Sequence, residues 1–350
     1  PSLVGSEMCI RDRTTTEQKL RPMKDQKPSP TKAATASPRR GKKLNANAII
    51  AVILVLAGLG VLLYPVLATQ WNNFQQTRAA EAYSELEKGV PPEVLNKTWR
   101  EAQRYNATLQ DIDPTDAWTS SDDENSPAYQ RYLKYLSVLD ETDAMGRIVL
   151  PSIKSDLPIF HGTSDSSLSR GVGHLYGTDL PVGAPGEPGE DGSIPPAPPE
   201  GRLSALSAHT GIQNATLWDN LDQMKKGDPV YIAVAGKKLK YEVRNVEVVT
   251  PDKTSLLRRT PHKDLLTLIT CTPYGVNTHR LILTAERVPM DPQEESVFDG
   301  QGTTWQWWMW AILAAAAVVV ALLIRWWWKN FRNPTPRNDR TTEAAETAAS

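Results

Sequence analysis

Residues 265–287 read LLTLITCTPYGVNTHRLILTAER. Two runs rich in Leu, Ile and Thr flank a turn containing Pro273, Gly275 and Asn277, and β-favouring residues bounded by turn formers predict a pair of strands. The first strand delivers Cys271, and His279-Arg280 opens the second, so a thiol and a guanidinium are expected on neighbouring strand ends. Working outward, short apolar segments recur: RIVL (147–150), LPIF (157–160), LSALS (203–207), PVYIAVA (229–235) and KLKYEVRNVEVV (238–249). Strands at this spacing, separated by Gly, Pro, Asp and Asn, predict a barrel. In residues 238–248, Leu239, Tyr241, Val243, Val246 and Val248 mostly alternate with polar residues, as on a strand with one wet face. Gly236-Lys237 is the expected turn before it. Residues 183–201 are almost all Gly, Pro, Glu and Asp, which predicts an inserted exposed loop.

Two long apolar runs frame this region. Residues 48–68, AIIAVILVLAGLGVLLYPVLA, carry no charge, and at about 1.5 Å per residue they reach across a hydrocarbon layer of roughly 30 Å. Residues 305–328 hold a second run between tryptophan clusters, the arrangement expected of an interfacial aromatic belt. Basic residues Arg39, Arg40, Lys42 and Lys43 precede the first helix, and Arg325, Lys329, Arg332, Arg337 and Arg340 follow or end the second. By the positive-inside rule both termini are cytoplasmic and the intervening segment lies outside the cell. The partition is therefore a disordered basic tail over 1–47, a transmembrane helix over 48–68, an N-terminal helical arm over 69–145, a barrel over 146–290, a linker over 291–304, a second transmembrane helix over 305–328 and a cytoplasmic tail over 329–350. Within the arm, residues 74–110 and 128–140 carry helical patterns. Cleavage after Ala68, as in a signal peptide, is the alternative to a retained anchor and leaves the outside placement unchanged. Glu7–Arg13, EMCIRDR, resembles a translated transposon adapter, so residues 1 to about 13 are expected to be an assembly artefact, with Met23 near the true start.

A formal net charge of −1 gives no basic excess for nucleic acid. Two cysteines, Cys9 and Cys271, are too few for a disulfide framework, and neither has Cys or His partners at zinc-ligand spacing. His161, His174 and His279 likewise lack a ligand pattern. His161 and His174 are expected as structural parts of loops, and His279 as a packing or hydrogen-bonding residue beside the 271–278 turn. A thiolate attacks a carbonyl, an imidazole protonates a departing amine, and a fixed cation stabilises an oxyanion. Cys271, His209 and Arg280, on three separate elements, are the set that suits such acyl transfer if the fold brings them together.

TLITC, with SAHTG upstream (207–211) and CTPYGVNTHR downstream, resembles the catalytic signature of the sortases, and CTPYGVNTHR is most similar to the pilus-assembling class C. The similarity runs through GRIVLPSIKSDLPIFHGTS, GVGHLYGTDLPVG and LWDNLDQMKKGD to Glu286-Arg287, covering most of residues 146–287. The resemblance implies a mainly β fold: an eight-stranded sortase β-barrel with short helices and an N-terminal helical arm, flanked by two transmembrane helices. It implies Cys271 as nucleophile, His209 as general acid and Arg280 as the oxyanion and substrate-orienting group, with no metal or organic cofactor. It further implies cleavage of an LPXTG-like signal between Thr and Gly, transfer to a pilin lysine, and pilin or surface proteins as partners at the lipid bilayer. A housekeeping sortase that anchors proteins to cell-wall peptide shares the same acyl-enzyme, and a non-catalytic membrane scaffold is the reading from another class. Class C members are similar in carrying a lid on the arm. Its candidates here are Asp113, Pro114 and Trp118, with the aromatic residue four places after the proline instead of next to it.

Overall fold

A computed structural model describes residues 46–109, 127–189, 191–212, 214–251, 253, 257–300, 302 and 304–331. Helix α1 (Ala46–Gly89) passes through Pro65 and continues well past Ala68. The expected boundary at residue 68 is not a structural one, because residues 69–88 are dominated by Ala, Glu, Gln and Arg, which propagate a helix. Gly89 and the Pro91-Pro92 pair supply the stop. At 1.5 Å per residue, α1 is about 66 Å long. Its N-terminal half is exposed and apolar. From Val66 onward the buried positions Val66, Thr69, Asn73, Gln76, Ala80 and Tyr83 recur at spacings of three and four, so one stripe of the same helix packs on the barrel.

Helix α2 (Pro92–Thr108) buries Trp99 and Ala102, and α3 (Pro127–Leu136) buries Tyr135. The pattern expected over 128–140 thus ends as a helix four residues early. The barrel comprises β1 (Gly146–Leu150), β2 (Ser155–His161), β3 (Val172–His174), β4 (Arg202–Ser207), β5 (Pro229–Val234), β6 (Lys237–Val249), β7 (Asp264–Thr272) and β8 (His279–Val288). A single helical turn, α4 (Asp165–Leu168), lies between β2 and β3. The strands close in the order β1-β2-β3-β4-β7-β8-β6-β5. Pairings are antiparallel except β2 with β3 and β4 with β7. Seven of these strands are visible as apolar runs. The eighth, β3, is three residues long, too short for any periodicity to register.

The β5–β6 turn sits one residue earlier than expected. Val234 pairs with Lys237, leaving Ala235 and Gly236 as the two-residue loop at φ 45° and 73°. Positive φ at both central residues matches the right-handed twist of a hairpin. Helix α1 caps this loop, since the Ala235 N–H donates to Tyr83 Oη (3.1 Å) and the Gly236 N–H to Glu87 Oε1 (2.7 Å). The presumed linker is also ordered. Residues Pro292–Asp299 form a 3₁₀ helix behind an Asp291/Glu294 capping box, and Phe298 packs against Val149 and Tyr231. Helix α5 (Trp307–Phe331) follows, and α1 and α5 are both long and apolar enough to cross a membrane.

Loop 183–201 holds no strand, as its composition predicts, yet it is not free in solvent. Trp99 Nε1 donates to Gly186 O (3.2 Å), and Gln103 Nε2 donates to Ala184 O (3.0 Å) and Gly186 O (2.7 Å). His161 and His174 also depart from their expected loop setting: both end strands, and His174 is fully buried. Tyr135 Oη lies 3.1 Å from His174 Nδ1, and Asp179 O lies 2.8 Å from His174 Nε2. Burial pushes the His174 pKa down to about 4, so the imidazole is a neutral link tying α3 to the barrel.

Candidate active site

Strand register decides which residues meet. Cys271 on β7 is the cross-strand partner of Arg280 on β8, and Thr272 that of His279. On the other side, β4 runs parallel to β7 with Ser207 opposite Ile269. β4 ends at Ser207, and His209 follows two residues later on the loop that leaves it. The residues flanking His209 and Cys271 are tied together: the Ala208 N–H donates to Ile269 O (3.2 Å), Thr270 Oγ1 donates to Ala208 O (2.7 Å), and the Thr210 and Thr270 hydroxyls are 2.6 Å apart.

Strand alternation then assigns the face. Leu206, Ala208, Leu266, Leu268, Leu281 and Leu283 belong to the barrel core. Their neighbours Cys271 and Arg280 therefore share the opposite, outward face, and His209 lies on the loop that leaves β4 at the same end of the barrel. All three are half-buried. Cys271 is a free thiol. Arg280 Nη1 donates to Asn277 O (3.3 Å) and His279 O (3.2 Å), and among the described residues it forms no ion pair. Its positive charge is held in place by backbone carbonyls without being neutralised, which suits a group meant to meet an anion that forms only during reaction. His279, expected to hydrogen-bond beside the turn, has its Nδ1 2.9 Å from Thr278 Oγ1.

The turn at 273–278 presents Tyr274 and Val276 to solvent beside Cys271. Gly211 fits against it at φ +79°, and a Cβ there would stand 3.0 Å from Gly275 N. A glycine is required for the His209 loop to approach the turn this closely. That loop closes on itself: the Trp218 N–H donates to His209 O (3.2 Å), Thr210 Oγ1 to Trp218 O (3.1 Å), and the Gly211 N–H to Asp219 Oδ1 (2.8 Å). Trp218 is fully buried and serves as the loop's anchor.

Burial raises the Asp219 pKa to about 6, with the Gly211 N–H opposing the shift and Asp222 adding to it. A carboxyl that holds its proton more tightly when folded favours the native state while protonated. Between the unfolded pKa near 3.9 and the folded value near 6 that contribution is lost as pH rises. Asp219→Asn keeps the acceptor for Gly211 and removes the charge. It is expected to be more stable than wild type at pH 7.5, by on the order of 1–2 kcal/mol once partial solvent screening is allowed for. Thermal melts from pH 4.5 to 8 check this, with the difference between the two proteins shrinking toward the acid end. Asp264, also raised to about 6 by burial, contributes its own slope to both proteins and cancels in that difference.

Strand pairing brings Cys271 and Arg280 together, and His209 follows two residues after the end of β4, the strand beside β7, while Asp113, Pro114 and Trp118 lie outside the described residues. Sequence reading did not single out Thr270, Trp218 or Asp219 as supports. Trp218 and Asp219 stand in LWDN, where an aromatic residue beside an acid offered the only signal. No group of three or more His, Cys, Asp or Glu side chains gathers as a metal site among the described residues.

Residues 148–288 match the family model described as Sortase domain. The chain is 29% identical over 145 residues to a sortase A of Streptococcus agalactiae, covering 41% of this chain and 52% of that protein. It is 27% identical over 151 residues to a sortase A of Bacillus anthracis, covering 43% and 62%. It therefore spans between about half and two thirds of the length of these curated relatives. Among solved structures, sortase C-1 from Actinomyces oris is 46% identical, covering 57% of this chain and 99% of that one, with a TM-score of 0.48. Sortase A from Corynebacterium diphtheriae is 39% identical, covering 65% and 100%, with a TM-score of 0.49.

Proposed function

We propose, from the premise that this chain belongs to the sortase family through residues 148–288, that it is a membrane-anchored cysteine transpeptidase acting on LPXTG-like sorting signals, with Cys271 as nucleophile. The observation that carries this reading is the cross-strand pairing of Cys271 with Arg280, and His209 on the loop that leaves the neighbouring strand β4 supports it. The Cys271 thiolate attacks the carbonyl of the signal's threonine, and Arg280 stabilises the oxyanion. As the Thr–Gly C–N bond breaks, protonated His209 gives its proton to the departing amine, leaving a thioester on Cys271. A lysine amine then attacks the thioester and surrenders a proton to His209. An isopeptide bond forms and the thiolate is released.

The pilus-assembling reading is supported by the likeness of CTPYGVNTHR to the class C motif and by the helical arm before the barrel. Placement outside the cell, with both termini inside, is supported by the basic residues flanking two helices of spanning length and composition. Incubation of the full chain in detergent with an LPXTG-type peptide is expected to give an acyl adduct whose mass maps to Cys271. An adduct on any other residue, or none, would sink the proposal. Offering a pilin-derived lysine peptide and a wall cross-bridge peptide together separates polymerisation from wall anchoring by which amine is acylated.

A further inference from the structure

The loop that carries His209 is not held by the barrel alone. Four side chains from the membrane helices and the residues leading into them converge on it or on each other. Asn72 Nδ2 donates to Asn214 O (2.7 Å). Asn73 makes a reciprocal pair: its Nδ2 donates to Thr216 Oγ1 (2.8 Å) and its Oδ1 accepts from the Thr216 N–H (2.9 Å). Gln306 Nε2, one residue before α5, donates to Asn220 Oδ1 (3.0 Å). Gln70 Nε2 joins the two helices by donating to Met309 Sδ (3.1 Å) of α5 and to Thr304 O (3.0 Å) just before it. Asn73 is 9% exposed and Thr216 6%, so this contact is inside the protein.

We propose that Asn73 is a positioning residue for His209, and that the outer end of the membrane anchor is thereby part of the catalytic apparatus. This inference rests on the acyl-transfer reading above. The physical path is short. Asn73 satisfies both the N–H and the hydroxyl of Thr216, and Trp218, two residues on, is bonded to His209 O through its N–H and to Thr210 Oγ1 through its carbonyl. Fixing Thr216 fixes the Trp218 backbone, which holds the His209 carbonyl and the Thr210 hydroxyl that follow the imidazole in the chain. Asn73 lies five residues beyond Ala68, about 7.5 Å along the helix axis. The clamp therefore sits in the first turns outside the apolar span, where helix and catalytic loop share one rigid joint. A general acid must stay within hydrogen-bond reach of the leaving nitrogen, and a displacement near 1 Å can cost about 10²-fold in rate.

The chemistry distinguishes a positioning role from a merely structural one. Expelling an amine needs the proton of His209, whereas a thioester carrying the same acyl group releases a thiolate that needs none. In full chain reconstituted in detergent, Asn73→Ala is expected to lower kcat on an LPXTG-type peptide about 10-fold with KM within two-fold. Its rate of acylation by the matching peptide thioester should stay within two-fold of wild type. Thr216→Ser keeps both bonded groups and should retain wild-type turnover on the amide. If Asn73→Ala does not fold, Thr216→Val, which replaces only the hydroxyl by a methyl group, carries the same comparison with a smaller loss. Equal losses on amide and thioester, or no loss on either, overturn the inference while the parent reading stands. A wild-type chain that forms no adduct on Cys271 overturns the parent reading, and this one with it.

Discussion

Cys271→Ala is expected to lower turnover of an LPXTG-type peptide by about 10⁴-fold or more, the scale on which loss of a covalent nucleophile is felt. The residue is the free thiol among the described residues and stands opposite Arg280 on the paired strand. Alanine removes the covalent route without disturbing the core, because Cys271 faces away from Leu266 and Leu268. Cys271→Ser should recover little, since a hydroxyl is a far weaker nucleophile than a thiolate and must lose its proton to a base to attack at all. Arg280→Ala should cost about 10²–10³-fold, as for removal of one oxyanion donor. Arg280→Lys should restore only part of that loss, because an ammonium lacks the planar fork that two backbone carbonyls now orient. Steady-state release of the glycine-side peptide, followed by chromatography, measures all four. A Cys271→Ala rate within tenfold of wild type would remove the thiol from the mechanism.

Asp156→Ala is expected to be the most damaging single change to stability away from the site. Arg147 Nε donates to Asp156 Oδ1 (2.8 Å) and Nη2 to Asp156 Oδ2 (2.6 Å), with both side chains 1% exposed. Arg147 Nη1 also donates to Ser84 Oγ of α1 (2.9 Å), and Phe298 lies 5.7 Å from the guanidinium carbon. One buried ion pair thus joins β1, β2, α1 and the 3₁₀ segment before α5. Removing the carboxylate leaves an uncompensated buried cation, at a cost of about 3–5 kcal/mol. For a domain of this size that corresponds to a fall in Tm of roughly 10 °C. Arg147→Met with Asp156→Leu removes both charges together and is expected to lose much less, since the penalty lies in the unpaired charge. Thermal denaturation of the full chain in detergent compares the two. A double variant as unstable as Asp156→Ala would show that packing, and not charge, sets the cost.

Several elements were readable along the chain because their cause is local. LLTLIT and RLILTAER form strands since β-branched and apolar residues sit between turn formers, and the β5–β6 hairpin follows from one glycine between alternating runs. Other elements escaped for equally definite reasons. β3 is three residues long and exists because Gly173 and His174 pair with β4, which no window on the sequence registers. Helix α1 looked like two elements, an apolar span and an amphipathic arm. Composition changes at residue 68, but helix propensity does not. His174 reads as an ordinary polar residue, and its burial follows from Tyr135, 39 positions earlier, reaching its ring.

The chemistry followed the same division. That a cysteine closes one strand, an arginine opens the next and a histidine follows a third was written in the order of residues, as were the two apolar spans and the basic residues that flank them. That Cys271 and Arg280 share one outward face depended on strand register, a long-range pairing in which a slip of one residue would turn Cys271 into the core. That Asn73 steadies the His209 loop depended on a contact spanning 143 positions. Local propensity acts over a turn or a strand, so it reaches the elements. Which elements meet, and in what register, is settled by burial and hydrogen bonding across the whole fold.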